Sequence, residues 1–489
     1  MVKLIFKGAE HRNIEINMKI GLYGIGLDVY WPQFEGLRER LDGYQNTIAG
    51  KLGEMEDGIE VINAGIVDTP QKARETGRKL RSENVEAVFL FISTYALSST
   101  VLPVVQELKV PVVVLSIQPD SAIDYDSFNK IGDRGKMTGE WLAYCQACSA
   151  PEIASVFNRA GINYHLVAGA MDDEETWREI EEWLASVKTV HVLRNSRIGL
   201  LGRYYGGMLD VYSDLTNLSS VFGCHFEILE PGDLLKNRTE VSEKEIAEKM
   251  DEFKSSFEVD TACSEEELNR AAHTSVALDT LIRENELKAL AYYFEGSGDR
   301  QYEDLITSVI PGNTLLTMNG VPVAGEYEVK NVLAMKIMDT LGCGGSFSEF
   351  YTMDLKDDIV MLGHDGPGHP AIAEGKVKLV PLPVYHGKPG KGLSIQMSVK
   401  YGSITLLSVV EQAGGNIKLL TAEGECVEGP VLNIGNTNSR YRFPVGAKEF
   451  VKQWSVQGPS HHMAVGTGHV ADKIEKIAKL LNVECYKVC

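Results

Sequence analysis

The feature that most constrains the fold is an alternation, through the first part of the chain, of short apolar segments and amphipathic stretches. The segments that predict strands are KIGLYGIG, IEVINAGIV, EAVFLFIST and VPVVVLSI. Between them, the spacing of apolar residues predicts helices over residues 33–55, 71–83 and 101–108. Buried strands that alternate with helices are typical of parallel βαβ units. The pattern therefore predicts a doubly wound α/β sheet with a ligand site at the carboxyl ends of its strands.

A second α/β pattern begins at RIGLLGRYYGGMLDVYSD and includes predicted helices over 241–257 and 265–284. After about Gly342, strand-like segments joined by glycine-rich turns follow one another: SFSEFYTMDL, DIVML, VKLVPLPVYH, SIQMSVKYGSITLLSVV, NIKLLTAEGECV and FVKQWSVQ. They predict an antiparallel barrel or sandwich. A chain of 489 residues exceeds a single core. We expect an α/β protein with two Rossmann-like domains, 1–190 and 191–342, and a β-rich, antiparallel barrel-like C-terminal domain, 343–489.

Composition excludes several classes of protein. A net charge of −20 argues against a nucleic-acid-binding surface. No apolar run is long enough to span a membrane, and the N-terminus lacks the pattern of a signal peptide. Eight cysteines in so long a chain do not form a disulfide framework, which favours a reducing cytoplasm. The CxxC formed by Cys145 and Cys148 has no second half, and its role stays open. No kinase or serine-hydrolase motif is present.

Two glutamates stand out near the start of the β-rich region. Glu326 precedes apolar residues at helical spacing, which places it in the first turn of a helix, where the helix dipole alone would favour it. Glu349 shares one face of a predicted strand with Phe347 and Tyr351, and with Met353 and Leu355 beyond them. A carboxylate buried there has to be protonated, paired or bound to a cation, unless the opposite, more polar face is the buried one.

Histidines supply the second kind of candidate ligand. His364 ends a predicted strand at the glycine-rich loop GHDGPGHP, and His461 and His462 occupy a second loop, GPSHHM. A lone histidine is usually surface or core, but two carboxylates with two imidazoles suit Mn²⁺, Co²⁺ or a similar ion. We interpret residues 365–368 as the turn that presents His364, and His369 as structural or supporting. Pairing of Asp365 with a ligand histidine is an alternative that we do not adopt.

The segments AGEYEVK, GGSFSEFYT, DDIVMLGHDGP and GPSHHM, in this order and spacing, resemble the metal-binding segments of L-arabinose isomerases. The resemblance implies metal ligands at Glu326, Glu349, His364 and His462, and leaves His461 for the substrate. It implies Mn²⁺, or another divalent ion such as Co²⁺ or Mg²⁺, and a homo-oligomer, usually a hexamer. The implied reaction interconverts an open-chain aldose and ketose through a cis-enediol, with both glutamates sharing the acid–base role.

The sugar-contacting segments depart from the family pattern. The segment after the first strand reads YGIGLDVYW where the family has SQHLYG, and KIGDRGK replaces the AHGGRE segment. Tyr95 stands where an aromatic ring is expected, and Met208 matches a methionine near the sugar. These departures keep two alternatives open: a sugar-binding protein without catalysis, and a metal-dependent epimerase or aldolase. The products separate them, because only an isomerase yields the ketose.

Overall fold

The computed structural model of the protein describes residues 18–296, 298–383 and 390–489. This part of the chain forms two compact units, one ending at His191 and the other beginning at Val192. None of the helices in these ranges combines the length and the apolar composition of a membrane span. The two units are described separately, and the division into three domains stays a prediction.

The first unit is built on a parallel sheet with helical connections. Its elements are β1 Met18–Ile25, α1 Leu37–Met55, β2 Ile59–Val67, α2 Pro70–Ser82, β3 Ala87–Phe91, α3 Leu102–Gln106, β4 Val112–Gln118, α4 Tyr125–Lys130, α5 Arg134–Ala143, α6 Gln146–Ala160, β5 Tyr164–Ala170 and α7 Glu174–Arg194. The sheet order is β2-β1-β3-β4-β5, and every pair is parallel. This order is that of a doubly wound sheet, as the sequence predicts.

The second unit begins with another parallel sheet. Its first elements are β6 Arg197–Gly202, α8 Leu215–Phe222, β7 His225–Leu229, α9 Pro231–Thr239, α10 Glu243–Ser256, β8 Glu258–Val259, α11 Glu265–Glu284, β9 Ala289–Tyr293, α12 Arg300–Ile306, α13 Ile310–Met318, β10 Val323–Ala324 and α14 Val329–Thr340. The strands pair in the order β10-β9-β6-β7, all parallel. Residues Val329–Met338 of α14 are all buried, so this helix has no solvent face and its lysines need partners.

The rest of this unit is β-rich. Its elements are β11 Gly344–Asp354, β12 Ile359–His364, β13 Lys378–Leu382, β14 Gly392–Gln396, β15 Gly402–Glu411, β16 Ile417–Val427, β17 Thr437–Arg442, α15 Ala447–Val456, β18 His462–Thr467, α16 Ala471–Leu481 and β19 Glu484–Lys487. Six strands pair antiparallel in the order β15-β18-β11-β12-β17-β16, and β16 pairs back to β15. The sheet therefore closes into a barrel, with β19 added in parallel to β16. The predicted fold class is confirmed.

Two predicted strands differ from the structure. FVKQWSVQ belongs to helix α15, because the buried residues Ala447, Phe450 and Trp454 recur at helical spacing. The segment SIQMSVKYGSITLLSVV divides into β14 and β15 around a turn at 397–401. The end of VKLVPLPVYH lies outside the described residues.

Candidate metal and catalytic site

Glu326 lies in a strained turn rather than in a helix. Its φ is 57° and that of Tyr327 is 60°, so two consecutive non-glycine residues adopt the left-handed conformation. Tyr327 N–H donates to the carbonyl of Tyr292 at 3.0 Å, which holds this turn against β9, and α14 begins only at Val329. The expectation of a first-turn glutamate is therefore wrong. Each such residue costs on the order of 1–3 kcal/mol, and such strain concentrates at functional sites.

Three imidazoles converge on the Glu326 carboxylate. Nε2 of His461 lies 3.4 Å from Oε2, and Nε2 of His462 lies 3.5 Å from the same atom. Nε2 of His364 lies 4.0 Å from Oε1. The rings come from different elements, since His364 ends β12 and His462 begins β18. Phe347 on β11 packs against both of these rings, with centroids 4.4 and 4.3 Å away, and restricts their orientation.

Glu349 lies beside this cluster because of the register of the barrel. It pairs directly with His462 across β11 and β18, and residues opposite one another in an antiparallel pair point to the same face. Its Oε2 is 4.0 Å from His461 Nε2, and 30% of its side chain stays exposed. The prediction of one continuous buried face along β11 is wrong in three respects. A bulge follows Phe350, Met353 and Leu355 are exposed, and the serines of the opposite face (Ser346 and Ser348) are buried.

A carboxylate stands behind each of the three imidazoles, on the Nδ1 side. The Nδ1–carboxylate distances are 2.6 Å for His461 and Asp210, 3.6 Å for His462 and Glu328, and 3.5 Å for His364 and Asp365. Metal-binding histidines commonly donate their second N–H to a carboxylate, which fixes the tautomer and leaves the other nitrogen for the ion. Of these three rings, only His461 makes this hydrogen bond in the structure, to Asp210. All three rings nevertheless have Nε2 within 4.0 Å of the Glu326 carboxylate.

His364 needs one further step to act as a ligand through Nε2. In the present structure its Nδ1 accepts a hydrogen bond from Gly366 N–H at 2.9 Å, which places the proton of the neutral ring on Nε2. Cation binding at Nε2 requires this proton to leave and Nδ1 to carry one instead. Asp365 Oδ1, 3.5 Å away, is the acceptor that suits that second tautomer.

The environment shifts the pKa values of Glu326 and Glu349 in opposite directions. Burial alone would raise the pKa of Glu326, but contact with His461 and the charges of His462 and His364 outweigh it and lower that pKa. Burial raises the pKa of Glu349, despite the attraction of His364. Burial would lower the pKa of His461, but Glu326 and Asp210 raise it to about 9. Glu326 is thus the more persistent anion.

The residues present fit a divalent metal ion. Two groups of three have ligand atoms within 4.8 Å of one another: Glu326, His461 and His462, and Glu349, His364 and His462. Glu326 Oε2 and both ring nitrogens of His462 are buried without a hydrogen bond of good geometry. Buried polar atoms normally have a partner, and a cation would supply one. Carboxylate oxygens with imidazole nitrogens suit Mn²⁺, Co²⁺ or Zn²⁺.

The site opens on a cavity of about 560 Å³, which the predicted ligands Glu326, Glu349 and His364 line together with His461 and Met208. Six of the seven predicted site residues therefore meet in this unit, counting the buried His462. The seventh, Tyr95, belongs to the other unit, where it packs against a small apolar cluster, and its role stays a prediction. His369 lies 4.0 Å from Asp339, away from the imidazole cluster.

Three charged residues of the site do not figure among the sequence predictions. Asp210 accepts hydrogen bonds from both the backbone N–H and Nδ1 of His461, at 3.0 and 2.6 Å. Glu328 is 0% exposed, and its Oε1 lies 3.3 Å from Nζ of the buried Lys330. The signal for Glu328 and Lys330 was their place in AGEYEVK, next to a helix with apolar residues on every side. Asp210 carries no such signal, because it is 251 residues from His461.

Comparison with known proteins agrees with this geometry. Residues 211–342 match the model of the L-arabinose isomerase central domain, and residues 344–484 that of the C-terminal domain. The chain belongs to the L-arabinose isomerase family. The resemblance in the four C-terminal motifs is thereby confirmed, and it makes this chain an aldose–ketose isomerase.

The relatives are distant but match over most of their length. The L-arabinose isomerase of Shouchella clausii is 21% identical over 87% of this chain and 86% of its own. Those of Anoxybacillus flavithermus and Bacillus subtilis are 20% and 19% identical, over 92% and 91% of this chain and 90% of each relative.

Proposed function

We propose that this chain is a divalent-metal-dependent isomerase that interconverts an open-chain aldose and the corresponding ketose, with Mn²⁺ as its metal. The observation that carries the proposal is the convergence of three imidazoles on the Glu326 carboxylate, at 3.4 to 4.0 Å, on the wall of a cavity of about 560 Å³. The family pattern selects Glu326, Glu349, His364 and His462 to hold the ion. When bound, the ion acts as a Lewis acid on the sugar's carbonyl and makes the proton at C2 more acidic.

Glu349 is the residue we assign to the proton transfer between carbons. Three imidazoles hold Glu326, whereas Glu349 has a nearest imidazole nitrogen at 4.0 Å and keeps part of its side chain open to the cavity. With its carboxylate free of the ion during the transfer, Glu349 removes the proton from C2 of the aldose. The electron pair forms the C1–C2 double bond of the cis-enediol, and the electron pair of the carbonyl bond moves to O1. Return of that proton to C1, with transfer of a hydroxyl proton from O2 to O1, gives the ketose. The raised pKa of Glu349 agrees with a group that gains and loses a proton.

His461 is proposed to contact the substrate. Its backbone N–H and its Nδ1–H both donate to Asp210, so its ring is fixed with Nε2 toward Glu326 and the cavity. A fixed imidazole at this place is suited to a hydroxyl of the open-chain sugar. Met208, two residues before Asp210, lines the same cavity. The role of Tyr95 and a homo-oligomer are parts of the proposal that rest on the resemblance, and a cytoplasmic location is a part that rests on cysteine usage.

Turnover with and without metal tests this function. The protein is stripped of metal, and a panel of aldopentoses and aldohexoses is offered with and without Mn²⁺, with product identified by chromatography. We expect ketose only with metal, and loss of at least a thousandfold in kcat for Glu349→Gln. Glu425→Gln, at an exposed position of β16, is the matched control and keeps activity. An inverted aldose or shorter fragments would instead indicate an epimerase or an aldolase.

Heavy water tests the proton transfer. An aldose converted in D₂O should give ketose with deuterium at C1, because the carboxyl of Glu349 exchanges its proton with solvent. Ketose without solvent deuterium would favour a direct hydride shift from C2 to C1.

A further inference from the structure

One part of the cavity wall is apolar. The side chains that form it share an aliphatic, thioether or aromatic surface: Met208, Ile306, Ile310, Phe350, Leu432 and Ile434. A sugar with a hydroxyl on every carbon needs a hydrogen-bonding partner at each buried hydroxyl. Six apolar side chains cannot provide one.

Several polar atoms of the cavity lining have hydrogen-bonding partners within the protein. Tyr293 donates to Glu295 at 2.7 Å. The hydroxyl of Tyr351 accepts from the amide of Asn436 at 2.7 Å, and the amide oxygen of Asn436 accepts from Asn438 at 3.2 Å. The ring of Tyr205 packs against that of Tyr293, with the centroids 4.6 Å apart. Tyr293 and Asn436 are therefore engaged within the protein, which leaves fewer polar groups on this wall to bind the hydroxyls of a ligand.

Leu432 and Ile434 add a second observation. They lie in the loop that joins β16 to β17 and line the cavity while being 39% and 59% exposed. Aliphatic side chains exposed beside a cavity mark a surface that an apolar group of a ligand covers. The apolar surface thus includes side chains that solvent reaches, whereas His364 and His462, which would hold the ion at the carbonyl end, are buried.

We infer that the preferred substrate is an aldose whose end remote from the carbonyl carries an apolar group, as the methyl of a 6-deoxyhexose does. This inference rests on the proposed isomerase function. A methyl group gains from contact with the aliphatic wall, whereas a hydroxymethyl group loses its water without gaining a partner. In an apolar pocket, a change of one small group on the substrate alters kcat/KM by about 10- to 200-fold. We expect at least a tenfold preference for the deoxy sugar.

Matched pairs of sugars test the inference with the Mn²⁺-loaded enzyme. Each pair has one configuration and differs only by the oxygen on C6: L-fucose and L-galactose, L-rhamnose and L-mannose, and D-quinovose and D-glucose. In every pair that is turned over, kcat/KM should be at least tenfold higher for the 6-deoxy member. A hexose equal to or better than its deoxy partner would overturn the inference and leave the isomerase function intact.

The variants Leu432→Asn and Ile434→Asn locate the effect on the proposed wall. Both positions are partly exposed, so the fold should survive, which the melting temperature checks. In these variants, the kcat/KM of the deoxy sugar divided by that of its parent sugar should fall at least threefold. The variant Ile228→Asn, at an exposed position of β7, should leave this ratio unchanged. An unchanged ratio in both variants would count against the inference. If no pair is turned over, calorimetric binding of the same pairs to the Mn²⁺-loaded protein decides the inference by the same ratio. The isomerase function is then decided separately, by turnover of the aldopentoses.

Discussion

The buried ion pair of Glu328 and Lys330 supports the imidazole cluster, and its removal should lower the free energy of unfolding. Glu328 is 0% exposed and Lys330 3% exposed, with Nζ 3.3 Å from Oε1. At an effective dielectric constant of 20, two charges at that distance attract by about 5 kcal/mol. Lys330 Nζ also donates to the carbonyl of Asp210 at 2.9 Å and to Ser213 Oγ at 3.1 Å. Lys330→Met would leave a buried carboxylate without a cation and free the loop that carries Asp210. We expect a loss of about 3–5 kcal/mol in the free energy of unfolding.

A double-mutant cycle separates this account from a simple loss of packing. Glu328→Gln should cost less than Lys330→Met, about 1–3 kcal/mol, because the lysine keeps two neutral acceptors. The double variant should be more stable than the sum of the single losses predicts, by at least about 2 kcal/mol. Urea unfolding of the metal-free proteins, followed by circular dichroism, measures each value, with Lys356→Met in an exposed turn as control. Additive losses, or a cost below about 1 kcal/mol for Lys330→Met, would refute the reasoning.

Two further predictions concern the imidazoles. The folded pKa of His461, about 9, lies above its unfolded value of 6.5, so its contribution to the stability of the metal-free protein is fully present below pH 6.5 and lost as the pH rises through 9. Since 37% of this side chain is exposed, we discount the effect to about 1–2 kcal/mol in the free energy of unfolding. Urea unfolding at pH 6.5 and 9.5 should show this loss in wild type and a smaller loss in Asp210→Asn. An equal change of stability with pH in both proteins would exclude the His461–Asp210 pair as its source. Phe347→Ala should cost about 3–5 kcal/mol, because the ring is fully buried. It should also weaken Mn²⁺ binding at least tenfold by freeing His364 and His462, and calorimetry showing unchanged affinity would contradict that role.

The sequence predicted the fold class because hydrophobic periodicity reports which faces of an element are buried. The alternation of strands and helices gave the two parallel sheets, and the change of pattern after Gly342 gave the barrel. Helix α15 was mistaken for a strand because FVKQWSVQ is short, and in so few residues the two periods are hard to tell apart. The left-handed turn at Glu326 was missed, since neither Glu326 nor Tyr327 has the glycine that usually marks such a turn.

The candidate ligands were predicted because a carboxylate on an apolar strand face and histidines in glycine-rich loops are unusual. The carboxylates behind the imidazoles were harder to find. Asp210 meets His461 only after the chain folds, and nothing within either segment indicates the contact. Glu328 lies within AGEYEVK, one of the four segments that carry the family resemblance. Its role beside His462 follows from its complete burial, which local spacing does not reveal. Long-range contacts therefore limit how much of a site can be derived from sequence.

The measurement that tests the central claim most directly is a thermal melt of the metal-stripped protein, with and without Mn²⁺, for wild type and His462→Gln. An ion present at 100 times its Kd stabilises the folded state by about 2.7 kcal/mol, which should raise the Tm by a few degrees. His225→Gln, at an exposed position of β7, is the control and should respond like wild type. We predict a rise in wild type and control, and little or none in His462→Gln. An equal rise in all three proteins, or none in folded wild type, would contradict a metal centre at this cluster.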